Sequence, residues 1–136
     1  MPSPQKITDL MMDKDHFSQW LGIERILDGE GLSVLKMTVR KEMLNGFEVA
    51  HGGITFSFAD SAFAFASNSR SRHAVSIETS ISHLAPVFEG DVLTAVAEEI
   101  NLTHKTGLYR VEVCNQKNEM VALFKGTVYR KSKKWE

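Results

Sequence analysis

The sequence predicts an α+β domain in which a curved antiparallel sheet wraps around one long central helix. Three observations predict it. Residues Ile54 to Ala66, "ITFSFADSAFAFA", are apolar around nearly the whole circumference of a helical wheel, and a helix of that kind has to be enclosed. Four strand-like runs follow this segment and two precede it. The chain has 136 residues, the commonest size range for one domain with one core. Strands segregated from a single enclosed helix give the α+β arrangement. A lone sheet wrapping one helix also leaves an edge and an outer face uncovered, so self-association is expected.

Taken in order, residues 1–9 are expected to be a flexible tail, because they are polar and carry prolines. "DKDHFSQWLG" then reads as a short amphipathic helix stopped by Gly22, with Phe17, Trp20 and Leu21 on one side. "IERILDGEGLSVLKMTVR" is two strands around a turn at Asp28–Gly31, and Leu35, Met37 and Val39 alternate with polar neighbours. The central helix follows. "AVSIETSISHL" puts Val75, Ile77, Thr79 and Ile81 on one face of a strand. "DVLTAVAEEINL", "GLYRVEVCNQ" and "MVALFKGTVYRK" supply three more, joined by "PVFEGD", "THKTG" and "KNE". Residues 132–136 close the chain as a second flexible tail, leaving a single domain over 1–136.

Composition narrows the function classes. With 43% hydrophobic and 24% charged residues, a net charge of −1 and a pI near 6.5, the chain lacks the basic surplus of a nucleic-acid binder. Its single cysteine, Cys114, rules out an intrachain disulfide framework and a CxxC metal cluster, and reads as a core residue. No apolar run is long enough to cross a membrane, and the first residues lack the layout of a signal peptide, so a cytoplasmic location is expected. His16, His73, His83 and His104 share no metal-ligand spacing, and neither HExxH nor GxSxG occurs.

Chemistry concentrates in "NGFEVAHGGITFSFAD". A helix start leaves backbone N–H groups unpaired and gathers partial positive charge. Glycines there, Gly52 and Gly53, let a ligand atom approach the backbone closely, although a plain tight turn would also use them. Asp60, inside the apolar helix, is costly to bury unless it is paired or has a task. It is either a structural carboxylate bonded to backbone or Ser57, or a reacting group. Asn45–Gly46 is a common turn signal, and His51 before a helix is a cap or supporting residue.

The run "LNGFEVAHGGITFSFADSAFAFASNS", with "HLAP", "GD", "KTG", "CNQ" and "VALFKG" after it, resembles the hotdog-fold acyl-CoA thioesterases of the PaaI type over roughly residues 10 to 131. The resemblance implies a hotdog fold. It also implies dimers with one continuous sheet, paired into tetramers, and active sites at subunit interfaces. Gly52 is then the amide that polarises the thioester carbonyl, and Gly53 keeps the turn open. Asp60 reaches the carbonyl from the neighbouring subunit, as nucleophile or as general base. Asn45 bonds near the thioester or a water, and His51 orients its neighbours. Some relatives carry a threonine one turn after the acid, where Ala64 stands here.

The implied substrate is an aryl-CoA, phenylacetyl-CoA or a ring-hydroxylated form, or a short- to medium-chain acyl-CoA. No cofactor or metal is implied, because coenzyme A arrives with the substrate. Ser67 lies two turns past Asp60 on its face and could touch that substrate. Lys105 and Thr106, with Arg130 and Lys131, are candidate phosphate contacts or simply solvated groups. Two other readings stand beside hydrolysis. Hydratase relatives place a histidine one turn after the helix aspartate, and "SAFAFA" has none. An acyl-CoA-binding regulator would add a DNA-binding helix pair, and about twenty residues before the first strand cannot hold one. Neither nucleic acid nor membrane is an expected partner.

Overall fold

The computed structural model describes residues 1–136. Helix α1 (Pro4–Lys14) and helix α2 (His16–Leu21) lead into strands β1 (Glu24–Gly29) and β2 (Leu32–Thr38). The long helix α3 (Gly52–Asn68) is followed by β3 (Arg72–His83), β4 (Val92–Leu102), β5 (Thr106–Cys114) and β6 (Met120–Lys134). The six strands form one antiparallel sheet in the order β1-β2-β4-β5-β6-β3. It curves around α3, which packs against strands across its width.

Alternation on the strands creates the concave wall. Leu35 and Met37 of β2, Leu93, Ala95 and Ala97 of β4, and Tyr109, Val111 and Val113 of β5 are all buried. The α3 residues Phe58, Ala59, Ala62, Phe63, Phe65 and Ala66 fill the space they enclose. One close approach depends on a missing side chain. A Cβ on Gly126 of β6 would stand 2.7 Å from Cζ of Phe63, so the phenyl ring occupies the hollow that glycine leaves. The ring meets Phe124 at 5.4 Å and Tyr109 edge-on at 5.9 Å. At the other end of α3, Glu99 accepts from Arg70 Nε at 3.0 Å and from the Tyr109 hydroxyl at 2.9 Å. That ties the helix terminus to the sheet.

The expected strand number and helix hold, and α3 is two residues longer at each end than the apolar run. The two tails are corrected. Residues 4–14 form a helix rather than a flexible tail, because Ser3 caps it and Ile7 is fully buried. The C-terminal residues are also built in: β6 runs to Lys134, Trp135 stacks on His73 at 4.0 Å, and its Nε1–H donates to Asn68 Oδ1 at 3.1 Å. The short helix begins at His16, with Asp15 as its cap. Leu21 is buried, whereas Phe17 and Trp20 stack on each other at the surface. On β3 a bulge between Ser76 and Glu78 interrupts the alternation expected for Val75 to Ile81. Cys114, at the end of β5, is half-buried rather than in the core.

The two sheet edges differ. The short edge strand β1 is strapped by α1, where Gln5 donates to the Asp28 carbonyl at 3.0 Å and Arg25 donates to the Gln5 carbonyl at 3.1 Å. The 12-residue edge strand β3 has no cover, and its Val75 and Ile77 are 42% and 59% exposed.

Candidate active site

The loop that enters α3 is held at its stem by the Leu44–Ala50 bridge and by Asn45 N–H, which donates to the Val49 carbonyl at 2.8 Å. Asn45 Oδ1 accepts from Phe47 N–H at 2.8 Å, an Asx turn. Its Nδ2 has no partner in the chain and stays available as a donor. His51 is the N-cap. Its Nδ1 accepts from Gly53 N–H at 2.9 Å, which leaves Nε2 to carry the proton of the neutral ring.

This cap changes the inventory of free donors. Gly53 N–H is taken by His51 and Ile54 N–H donates to the His51 carbonyl at 2.9 Å. Gly52 N–H has no acceptor in the chain. It opens a 17-residue helix, where the aligned peptide dipoles favour a negative partner. A cleft of about 360 Å³ adjoins it, lined by Gly52, Thr55, Val49 and the segment His83–Val87. A Cβ on Gly52 would lie 3.2 Å from Nε2 of His83, so glycine keeps the floor of the cleft open.

Asp60 sits eight residues further along α3, half-buried and without any hydrogen-bond partner. Burial pushes its carboxyl above the usual carboxylate range, and the negative charge of Asp15 pushes in the same direction. Its possible partner Ser57 makes no bond to it. An unpaired, desolvated carboxylate on an enclosed helix destabilises the fold slightly and is chemically available.

The other expected residues are scattered. Ser67 is buried and its hydroxyl donates to the Ala64 carbonyl at 3.2 Å, so it packs rather than facing a ligand. Lys105 and Thr106 belong to the β4–β5 hairpin, where Thr106 N–H donates to Thr103 Oγ1 at 2.9 Å. Thr106 pairs with Tyr129, and His83 beside Gly52 pairs with Ala122, seven residues away along β6, or about 23 Å. The hairpin and the glycine cleft therefore sit at opposite ends of one chain's sheet. Arg130 is engaged with the Thr103 carbonyl at 2.7 Å, whereas Lys105 and Lys131 are exposed.

Sequence reasoning missed two contributors. His83 has no ligand spacing to any other histidine, and only its position at the end of β3 brings it over Gly52. Ser61 and the Asp15–Ser18 corner, which touch beside Asp60, are 43 residues apart and carry no recognisable pattern.

Residues 47–122 match the family model described as the thioesterase superfamily. The chain belongs to the thioesterase superfamily. It is 44% identical over 126 residues to a putative esterase of Archaeoglobus fulgidus, covering 93% of this chain and 82% of that one. It is also 44% identical over 120 residues to the acyl-coenzyme A thioesterase PaaI of Escherichia coli, covering 88% and 86%. The solved structure of that E. coli protein, from the phenylacetic acid degradation operon, superposes with a TM-score of 0.94 over 96% of this chain and 95% of that one, at 40% identity. A Streptococcus mutans protein solved bound to acetyl CoA superposes at 0.81, with 26% identity over 83% and 91%. The fold is the hotdog fold, and the chain is a thioester hydrolase of the PaaI type. No helix is long and apolar enough to cross a membrane.

Proposed function

We propose that the protein hydrolyses acyl-CoA thioesters, aryl-CoA such as phenylacetyl-CoA or its ring-hydroxylated forms first among them, to free CoA and a carboxylic acid. The observation that carries this reading is the unpaired Gly52 N–H at the start of α3, opening on a cleft. Thioester hydrolysis places negative charge on the carbonyl oxygen, and a fixed amide at a helix N-terminus stabilises that charge without reorganising. A thiol is far more acidic than an alcohol, so a thiolate departs with little help from a general acid. The name of the E. coli relative supports the acyl-CoA substrate, and the operon of its structure supports the aryl group.

A single chain cannot bring both groups to one carbonyl. Eight residues of helix separate Gly52 from Asp60 by about 12 Å along the axis. A donor about 2.9 Å from the oxygen and an attacking atom about 3–3.5 Å from the carbon lie within about 7 Å of each other. The site therefore pairs Gly52 of one protomer with Asp60 of the partner subunit, and the uncovered β3 edge is the surface through which two chains join. Pairs of such dimers form the tetramer. Asn45 Nδ2 donates beside the carbonyl or a water, and exposed Lys105 and Lys131 meet the phosphates of CoA.

Thiol release from phenylacetyl-CoA, followed with a thiol-reactive dye, tests the reading. Replacing Asp60 by Asn is expected to lower kcat by at least about 10²-fold, the scale of losing a principal reacting group. Parental turnover in Asp60→Asn removes the carboxylate from the mechanism. No thiol release from any aryl or acyl thioester overturns the proposal as a whole.

A further inference from the structure

A buried chain of hydroxyls joins the N-terminal helices to α3 next to Asp60. Asp15 ends α1 and caps α2: its Oδ1 accepts from Ser18 N–H at 3.0 Å and its Oδ2 accepts from Ser18 Oγ–H at 2.6 Å. Ser18 Oγ lies 2.8 Å from Ser61 Oγ. A hydroxyl has one proton, and the Ser18 proton is committed to a carboxylate that only accepts. Ser61 therefore donates to Ser18, which donates to Asp15. Ser18 and Ser61 are 1% and 8% exposed, so water does not replace either partner. Ser61 directly follows Asp60 in α3.

We propose that the Asp15–Ser18–Ser61 chain makes the α1–α2 corner part of the catalytic apparatus: it clamps the corner onto α3 beside Asp60 and holds a second carboxylate within electrostatic reach. The meaning given to Asp60 rests on the thioesterase reading above. Burial raises the Asp60 carboxyl, and the negative charge of Asp15 acts on it in the same direction. The other charges at the corner, Asp13, Lys14 and His16, are exposed. At the far end of α3, Arg70 is engaged by Glu30 and Glu99. On the strands, Lys125 and Glu78 are about half exposed and pair with each other at 3.1 Å. Asp15 thus adds to what burial does, and a carboxylate held more basic is a better proton acceptor near neutrality. Residues 15 and 18 lie outside the stretch 47–122 that matches the superfamily model.

The test uses Asp15→Asn in the full-length protein, because asparagine caps helices as well as aspartate. Its Oδ1 still accepts from Ser18 N–H, while Nδ2 donates to Ser18 Oγ and keeps the contact with the direction of that bond reversed. The readout is the ¹³C resonance of the Asp60 carboxyl carbon, titrated in parent and variant. Asp60 is expected to titrate at lower pH in Asp15→Asn, and the acid limb of kcat/KM is expected to move with it. Ser61→Ala keeps the charge and cuts the clamp; it should lower kcat with KM little changed, and Ser61→Thr should restore it. An Asp60 titration that does not move in Asp15→Asn overturns the proposal, as does a parental kcat in Ser61→Ala. If no thioester is hydrolysed at all, the functional reading fails, and the carboxyl titration still decides for or against the corner.

Discussion

Replacing Gly52 by proline separates the role of one N–H from the integrity of the helix that carries it. Proline lacks the donor but is favoured at the first position of a helix, where the N–H is unpaired in any case. The backbone accepts it: His51 has φ −58° and ψ 136°, the extended conformation that a residue before proline prefers. The added Cβ meets the exposed His83 side chain, 3.2 Å from its Nε2, as it does in alanine. The cap bond from Gly53 N–H to His51 Nδ1 is untouched. Stability is therefore expected to hold, or to rise by about 0.4–1 kcal/mol from the stiffer unfolded chain. Catalysis is not. Loss of one oxyanion donor costs about 10²–10³ in kcat, or about 2.7–4 kcal/mol of transition-state stabilisation.

Gly52→Ala is the companion variant. It keeps the N–H and adds a methyl group 3.2 Å from Nε2 of His83, the far end of an exposed side chain that can turn aside. Its kcat should remain well above that of the proline variant. Steady-state kinetics on phenylacetyl-CoA, with thermal melting of each protein, makes the comparison. A donor acting in the transition state shows in kcat, whereas a ring that merely blocks the cleft shows in KM. Gly52→Pro with unchanged melting and a kcat within a few-fold of the parent refutes the oxyanion assignment, and so does a defect confined to KM.

Gly126→Ala places a Cβ 2.7–2.9 Å from three atoms of the Phe63 ring, and is expected to cost about 1–3 kcal/mol in urea denaturation. Phe63→Leu in the same chain should recover part of that loss. Trp135→Ala removes both the stack on His73 and the bond to Asn68, and should cost about 1–2 kcal/mol, whereas a free tail would give no change in melting. Asp60→Asn should also alter stability, with a definite sign. Burial raises the Asp60 carboxyl in the folded state, so the stability it permits is complete below the unfolded carboxylate range and declines as pH rises through the folded value. The asparagine variant should therefore melt higher than the parent at neutral pH, and the difference should vanish in acid.

The features legible in the sequence were those that repeat along one element. Ile54 to Ala66 announced an enclosed helix because its apolar residues leave no polar side. The ends were less legible, since the cap by the His51 ring and the bonds from Asn68 to Ala64 and Ala74 extend α3 by groups outside the apolar run. The strands were countable from alternation and turns, but the β3 bulge was not, because it reflects pairing with β6. The polar lead gave no sign that Ile7 would be buried, which depends on α1 packing over β1 and α3. Gly52, Asp60, Asn45 and His51 were singled out by one short motif and the family resemblance it carries. His83 and the Ser18–Ser61 contact arise from chain folding between distant segments, and local patterns carry no record of it.

If the site is divided between two chains as proposed, pairing at the β3 edge has a further consequence. Self-pairing of an antiparallel edge across a two-fold axis sets residues opposite one another at a constant sum of numbers. Centred between Ile77 and Glu78, the most exposed apolar position and its neighbour, it would set His83 of one chain opposite Arg72 of the other. The cleft at Gly52 would then face the partner's groove of about 990 Å³, which Asp15, His73 and Trp135 help to line. Trp135, on the groove side of that junction, belongs to the C-terminal segment that local sequence reading set aside as a tail. The same pairing would cover Val75 and Ile77 and place the raised carboxyl of Asp60 away from bulk water. Closing the sheet edge and assembling the thioester site are then one event, so a chain kept monomeric should fold around α3 and yet hydrolyse nothing.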